Sequence, residues 1–434
     1  MFERFKAHQL LDEWRARAKV KLEESVSRMQ PLSFPSNQTP VALIGVRRSG
    51  KTTQAIQLSQ KVDSSFRKDL SSSFDDVIYM NFEDPAFYLD PDVRNLELLV
   101  DVHREASGKL PRVVVFDEIQ NIPGWEKWVR KISEMKLFQL VITGSSAKML
   151  SQELATSIAA RTRGKTIWPL SFNEFLEFNQ ANPKVAIEYL HWLKKYTDWG
   201  AFPEVVLTKS DEEKREILLQ YYNDIMIKDI MSRGEIRNTR ALELLIRHHF
   251  LNVAKHSSAN ALKKAYGLSI DLIHEYLRLA ENAFLLFQVE RYHRNLKVQS
   301  RDTKKIYAID TGLRNVNSTS ASEDSGHLLE NLVYIELRRR FQKIFYFKEK
   351  KECDFIVVDK IHPIEAIQVT DSDLDSPELF ARETEGLVEA LTACKLTSGT
   401  LITRNREETL VIDKKTLRLI PAYRWLVPAT TTSI

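Results

Sequence analysis

One stretch, Gly45-Val46-Arg47-Arg48-Ser49-Gly50-Lys51-Thr52-Thr53, constrains this chain more than any other. It fits G-x-x-x-x-G-K-[ST], a loop whose backbone N–H groups wrap phosphates. Val41-Ala42-Leu43-Ile44 before it reads as a short buried parallel strand, and Gln54 to Val62 after it has helical spacing. A strand, a glycine-bracketed loop and a helix in that order make an anion site at the helix N-terminus and predict an α/β fold. Gly45 and Gly50 let the backbone close on the phosphates without a Cβ clash. Lys51 would reach the β- and γ-phosphates of ATP, and the Thr52 hydroxyl would hold Mg²⁺. Arg48, Ser49 and Thr53 complete the expected nucleotide-contacting set.

A second motif supports the first. Arg112-Val113-Val114-Val115-Phe116 is a doubly buried strand in composition, and it runs into Asp117-Glu118. In a doubly wound sheet, ligands bind beyond the carboxyl ends of the strands. Asp117 is thus expected in the Mg²⁺ shell, with Glu118 polarising the attacking water. A third strand, Leu140-Val141-Ile142-Thr143, ends in Gly144-Ser145-Ser146, and Ser145 is a candidate to sense the γ-phosphate.

Composition narrows the class. The 434 residues are 43% hydrophobic and 28% charged, enough for several cores and a well-solvated surface. No apolar run approaches the ~18 residues of a membrane span, and the charged N-terminus does not read as a secretory signal, so a cytoplasmic protein is expected. Two cysteines, Cys353 and Cys394, give neither a disulfide framework nor zinc spacing. The net charge of +4 means that any nucleic-acid surface must come from local clustering.

The chain reads as an amphipathic helix and Pro/Ser linker over 1–40, the nucleotide core over 41–180, a helical segment over 181–255, a winged helix over 256–317 and a last α/β domain over 326–434. The winged-helix reading rests on order. A helix from Asn260 to Tyr266 meets Gly267; Ser269 caps Ile270 to Glu281; an apolar run spans Ala283 to Val289, and Lys304 to Ile309 returns as a strand. Arg291, Arg294, Lys297, Arg301, Lys304 and Lys305 crowd the expected wing and are candidate phosphate contacts. Arg338-Arg339-Arg340, with Phe345, Tyr346 and Phe347 nearby, is a second basic and aromatic run.

Taken with Arg161-Thr162-Arg163-Gly164, Pro169-Leu170-Ser171-Phe172-Asn173-Glu174-Phe175, Gly200-Ala201-Phe202-Pro203-Glu204, Tyr307-Ala308-Ile309-Asp310-Thr311-Gly312-Leu313 and Glu352-Cys353-Asp354-Phe355, these motifs resemble an archaeal and bacterial P-loop ATPase family. That family has an AAA+-type core, a winged helix and a C-terminal domain of restriction-endonuclease-like fold. The resemblance implies ATP hydrolysis with Mg²⁺, and a homo-oligomer in the form of a hexameric ring. An arginine from one subunit would then reach the γ-phosphate of the next; Arg161 is the candidate for this finger and Arg163 the alternative. It also invites a nuclease reading, which needs converging acids and a lysine. Asp354, Glu330 and Glu365 supply acids, but Gln368 and Thr370 stand where an acid and a lysine are expected, so an inactive domain is expected. Three functions stay open: a ring-shaped motor acting on DNA, an ATP-dependent switch for protein partners, and an ATP-controlled nuclease.

Overall fold

The computed structural model describes residues 3–29, 32–61, 74–147, 162–232, 234, 236, 238–293, 295, 299, 302–318 and 325–427. The chain divides into two compact units, Met1–Trp168 and Pro169–Ile434.

The first unit is built on five parallel strands. They are β1 (Val41–Ile44), β2 (Val77–Asn81), β3 (Val113–Asp117), β4 (Gln139–Gly144) and β5 (Arg163–Thr166), in the spatial order β2-β3-β4-β1-β5. The three central strands are buried along their whole length, as continuous apolar runs require when helices cover both faces. Register places Asn81 beside Asp117 and Ile44 beside Gly144, so the carboxyl ends of β1 to β4 share one edge. On one face Val41, Leu43, Val113, Val115, Val141 and Tyr79 pack with Ala55, Ile56 and Leu58 of the helix Lys51–Ser59. The helix Arg4–Glu23 joins the same core through Ala18, Trp14 and Leu22. On the other face Phe82, Phe87, Phe116 and Trp128 meet ring to ring.

The second unit begins with helices. Pro169 to Phe178 is bonded to later helices of this unit: Tyr196 Oη donates to the Leu170 carbonyl, and Arg339 Nη2 to the carbonyls of Pro169 and Leu170. Its Pro-Leu-Ser-Phe motif is a capping box, with Ser171 Oγ accepting from the Glu174 N–H and Glu174 Oε2 accepting from the Ser171 N–H. Two further sequence motifs, 109 positions apart, meet in this unit. Buried Asp310 accepts hydrogen bonds from the Ala201 and Leu313 N–H groups. A Cβ on Gly312 would lie 2.0 Å from the Trp199 carbonyl oxygen, so only glycine allows that approach.

After the helix Thr239–Leu251 come β6 (His256–Ser257), the helices Ala259–Tyr266 and Ile270–Asn282, β7 (Leu286–Val289) and β8 (Lys304–Ala308), forming an antiparallel sheet β6-β8-β7. The expected strand from Ala283 starts later, at Leu286, because the Leu285 N–H turns back to the Ala280 carbonyl and closes the helix. The helix Ser325–Arg340 then leads into a six-stranded sheet. Its strands are β9 (Lys343–Lys348), β10 (Glu352–Asp359), β11 (His362–Val369), β12 (Ser398–Thr403), β13 (Glu408–Ile412) and β14 (Lys415–Pro421), ordered β13-β14-β12-β11-β10-β9. The helix Pro377–Ala393 makes the crossover between the parallel neighbours β11 and β12.

Candidate active site

The glycine-bracketed loop lies between β1 and the helix Lys51–Ser59. Gly45 has φ +149° and a Cβ there would sit 2.2 Å from the Ile167 carbonyl oxygen, while Gly50 caps the helix at φ +94°. Both positions exclude side chains for reasons of backbone geometry. Lys51, 4% exposed, folds back on its own loop and donates to the carbonyls of Gly45 (3.2 Å) and Val46 (3.1 Å). Ser49 Oγ is buried without a hydrogen-bond partner. A lysine parked on backbone carbonyls and an unmet hydroxyl suit an anion that would replace those weak contacts. Arg47 is held by Glu83 at 2.7 Å; Arg48 is exposed at φ +69°, and Thr53 is half-buried on the first helical turn.

Asp117 is fully buried at the end of β3. Its Oδ2 accepts from Thr52 Oγ1 (2.7 Å), Tyr79 Oη (3.0 Å) and Asn81 Nδ2 (2.9 Å), and its Oδ1 accepts from Thr143 Oγ1. Thr143 in turn accepts the Glu118 N–H at 3.1 Å. Glu118 takes the left-handed backbone conformation, φ +54°, at a cost of about 1–3 kcal/mol. That turn sets its carboxylate 3.8 Å from Lys51 Nζ, with Gln120 Nε2 donating to it at 2.5 Å. Burial, then the Asp117 charge, pushes the Tyr79 phenol well above its usual value, so it stays a donor.

The structure thus gathers Gly45, Ser49, Gly50, Lys51, Thr52, Asp117 and Glu118. Ser145 follows β4 and is buried, and within β4 Thr143 bonds to Asp117 and to the Glu118 N–H. Asn81 and Gln120 stand in the motifs Asn81-Phe82-Glu83-Asp84-Pro85 and Phe116-Asp117-Glu118-Ile119-Gln120 without a role read from sequence, and Tyr79 stands in no motif. Only the pairing of β2 with β3 brings Tyr79 and Asn81 to Asp117. Arg163 lies exposed on edge strand β5 opposite Val41, three residues and about 10 Å short of the loop end of the sheet. Arg161 lies outside the described residues.

The second unit corrects two expectations. Lys305, assigned from sequence to a DNA surface, is 3% exposed on β8. Its Nζ meets Glu330 Oε1 at 3.0 Å, Asp354 Oδ1 at 3.0 Å and Glu352 Oε1 at 2.9 Å. Burial alone would pull this ammonium down, but the Glu330 and Asp354 carboxylates hold it well above its usual value. It is spent on internal acids and cannot serve phosphate. The acids expected to lack a lysine therefore have one, supplied from outside the strand pair where it was sought. Thr370 is buried at the end of β11. Gln368 Oε1 accepts the Asp354 N–H and its Nε2 donates to Glu383, while Glu365 pairs with Thr400. Burial and Asp354 push the Glu330 carboxyl up, and Lys305 and Tyr307 draw it back. Glu352 lies well below its usual range because His256 and Lys305 outweigh its burial. Among the described residues no group of His, Cys, Asp and Glu is arranged to hold a metal ion.

Two of the other basic candidates are also engaged. Arg291 pairs with Asp302 at 3.1 Å and Lys304 with Glu290 at 3.1 Å; Arg294, Lys297 and Arg301 lie outside the described residues. In the second run, Arg339 and Arg340 pair with Glu336, and Tyr346 and Phe347 are buried.

The N-terminal part of the chain carries an AAA-type ATPase domain: residues 37–176 match the family described as AAA domain, and residues 190–323 match a domain of unknown function (DUF8612). The chain belongs to the family of an uncharacterized protein of Methanocaldococcus jannaschii, 33% identical over 406 residues that cover 88% of this chain and 87% of the relative. An uncharacterized protein of Haemophilus influenzae is 30% identical over 335 residues, covering 75% of this chain and 81% of its own length. A structure of C. elegans PCH-2 aligns over 63% of this chain and 67% of its own, at 12% identity and a TM-score of 0.24, too loose a likeness to carry an argument. No described helix is long and apolar enough to cross a membrane.

Proposed function

We propose that this chain hydrolyses ATP at the Gly45–Thr53 loop and couples the hydrolysis to work on DNA. The observation that carries the first half is the Asp117–Thr143–Glu118 arrangement beside Lys51. The loop fits the triphosphate by its excluded Cβ positions and its unmet Ser49 hydroxyl. Thr52 and Asp117, hydrogen-bonded to each other, would hold Mg²⁺. The ion, when bound, neutralises charge on the β- and γ-phosphate oxygens. Lys51 moves from loop carbonyls to phosphate, and Glu118 leaves Gln120 to orient water and take its proton. The test is a pair of variants. Lys51→Ala should abolish tight ATP binding, whereas Glu118→Gln should bind ATP and fail to turn it over. Wild-type turnover by Glu118→Gln would refute the role given to that residue.

The second half is supported by a helix–turn–helix whose turn is Gly267-Leu268-Ser269. Gly267 is left-handed, and Ser269 Oγ accepts the Leu272 N–H at 3.2 Å. With β7 and β8 behind it, this reads as a winged helix, and Lys263, Lys264 and Arg278 are exposed on it. DNA should raise the ATPase rate, with affinity falling steeply in salt. Lys263→Glu with Lys264→Glu should flatten the log–log slope by about 0.9 for each lost phosphate contact. Turnover indifferent to duplex, forked and single-stranded DNA would leave the chain as an ATP switch for protein partners. We read the αβββαβ order from Ser325 to Thr403 as a restriction-endonuclease-like domain that does not cut, since Lys305 fills the space among its acids. The finger in a homo-oligomeric, hexameric ring would be Arg161 or Arg163. Mixing Arg163→Ala with Glu118→Gln protomers should restore part of the activity if Arg163 acts in trans.

A further inference from the structure

The N-terminal helix touches the nucleotide acids through two aromatic side chains. The Trp14 ring meets Tyr79 edge-on, with centroids 5.9 Å apart and planes at 65°. The Trp14 indole Nε1 donates to Asp84 Oδ2 at 3.0 Å, just beyond the end of β2. Tyr79, 4% exposed, is the next link: its hydroxyl donates to Asp117 Oδ2, the same oxygen that receives Thr52. Trp14 therefore ties the helix to β2 at Tyr79 and to the segment after it at Asp84. A carboxylate that must face a cation needs its orientation set in advance, because each misaligned rotamer costs part of the interaction. Thr52 approaches Asp117 from the phosphate side and Thr143 meets its other oxygen, while Tyr79 and Asn81 hold Oδ2 from the neighbouring strand.

We infer that Tyr79 is a positioning residue for Asp117, and that the helix Arg4–Glu23 keeps Tyr79 in place through Trp14 and so forms part of the hydrolytic machinery. This rests on the ATP-hydrolysing reading above. It makes the N-terminal helix a control point: whatever lifts Trp14 from Tyr79 loosens the acid meant for Mg²⁺. The loss should appear in the coupling between metal and nucleotide rather than in nucleotide binding itself.

The test is calorimetric ATP binding to the full chain in a Glu118→Gln background, once with Mg²⁺ and once with EDTA. The ratio of the two affinities is the gain due to the metal. Tyr79→Phe keeps the ring and its packing, and should cut that gain about tenfold while leaving the EDTA affinity unchanged. Trp14→Ala should cut it about threefold, and the double variant should be no worse than Tyr79→Phe, because the two act through one contact. If Trp14→Ala does not fold, Trp14→Phe, which keeps the edge contact and loses only the Asp84 bond, should retain most of the gain. Thr52→Ala is the reference and should abolish the gain. A gain intact in Tyr79→Phe but lost in Thr52→Ala overturns the inference and leaves the ATP site standing. A gain intact in both overturns the two together. Full additivity of Trp14→Ala and Tyr79→Phe refutes the role of the helix.

Discussion

Each unit buries a lysine beside carboxylates, and the two lysines are held in opposite ways. Lys51 touches carbonyl oxygens at 3.1 and 3.2 Å and stands 3.8 Å from Glu118. Lys305 is gripped by three carboxylates within 3.0 Å. A buried ammonium left on weak acceptors keeps its charge available for an incoming anion. One closed in by acids has its charge neutralised and acts as a joint between β8, β10 and the helix Ser325–Arg340. Exposure does not separate them, at 4% and 3%. The number and charge of the acceptors does.

The comparison breaks first on chemistry. Glu118→Gln should lower turnover by about 10²–10⁴-fold, the usual contribution of a general base, with unfolding free energy almost unchanged. Steady-state ATPase rates beside urea titrations would show it. An equal loss of stability would make Glu118 a structural residue like those around Lys305.

Lys305→Met should do the reverse. Removing the ammonium strands Glu330, Asp354 and Glu352, at a cost of about 3–5 kcal/mol, read as a fall in the urea midpoint. Lys51→Met should cost far less. Neither the parent nor the variant should cut duplex, forked or four-way DNA with Mg²⁺ or Mn²⁺. Cleavage lost on Asp354→Ala with ATPase retained would revive the nuclease reading.

A third effect is set by pH. His249 is 1% exposed, and burial, with a contribution from His248, pulls its imidazole down to about 3. The unfolded chain takes up that proton near pH 6.5, so the folded state binds fewer protons below it. Stability from this group is complete above pH 6.5 and falls by about 1.4 kcal/mol per unit below, roughly 2 kcal/mol by pH 5. His249→Gln should remove that part of the slope between pH 7 and 5. An unaltered slope would show that His249 is protonated in the fold.

The smallest change sharpens the contrast best. Lys304 adjoins Lys305 on β8, yet its ammonium pairs with Glu290 at the surface. Lys304→Ala should shift unfolding by under about 1 kcal/mol. A loss as large as that of Lys305→Met would mean that strand β8, and not the carboxylate cage, carries the effect.

Much of the first site was legible because its signals are local. The loop pattern, the apolar run before it and the acids after Val113–Phe116 each lie within a few residues. Thr143 stood in the recognised third strand, but its bonds to Asp117 and Glu118 depend on β4 lying next to β3. The second unit was less legible for the same reason. Lys305 and the five basic residues grouped with it looked alike as charges. Alternation along β8 sends Lys304 and Lys305 to opposite faces, and only the position of the neighbouring sheet decides which face is solvent. The late Asp-Thr-Gly motif, quoted only for the family resemblance, is a cap and a close contact between helices.

By itself the sequence determined the α/β core, the nucleotide loop and the pair of acids, since turn geometry, apolar periodicity and adjacent residues are short-range properties. Tertiary structure decided which charges meet. Lys305 and Glu330 are 25 positions apart, Lys305 and Asp354 49, Tyr79 and Asp117 38. Electrostatic energy depends on distance through space and on the water excluded between the groups, and the order of residues along the chain carries neither quantity until the strands have paired.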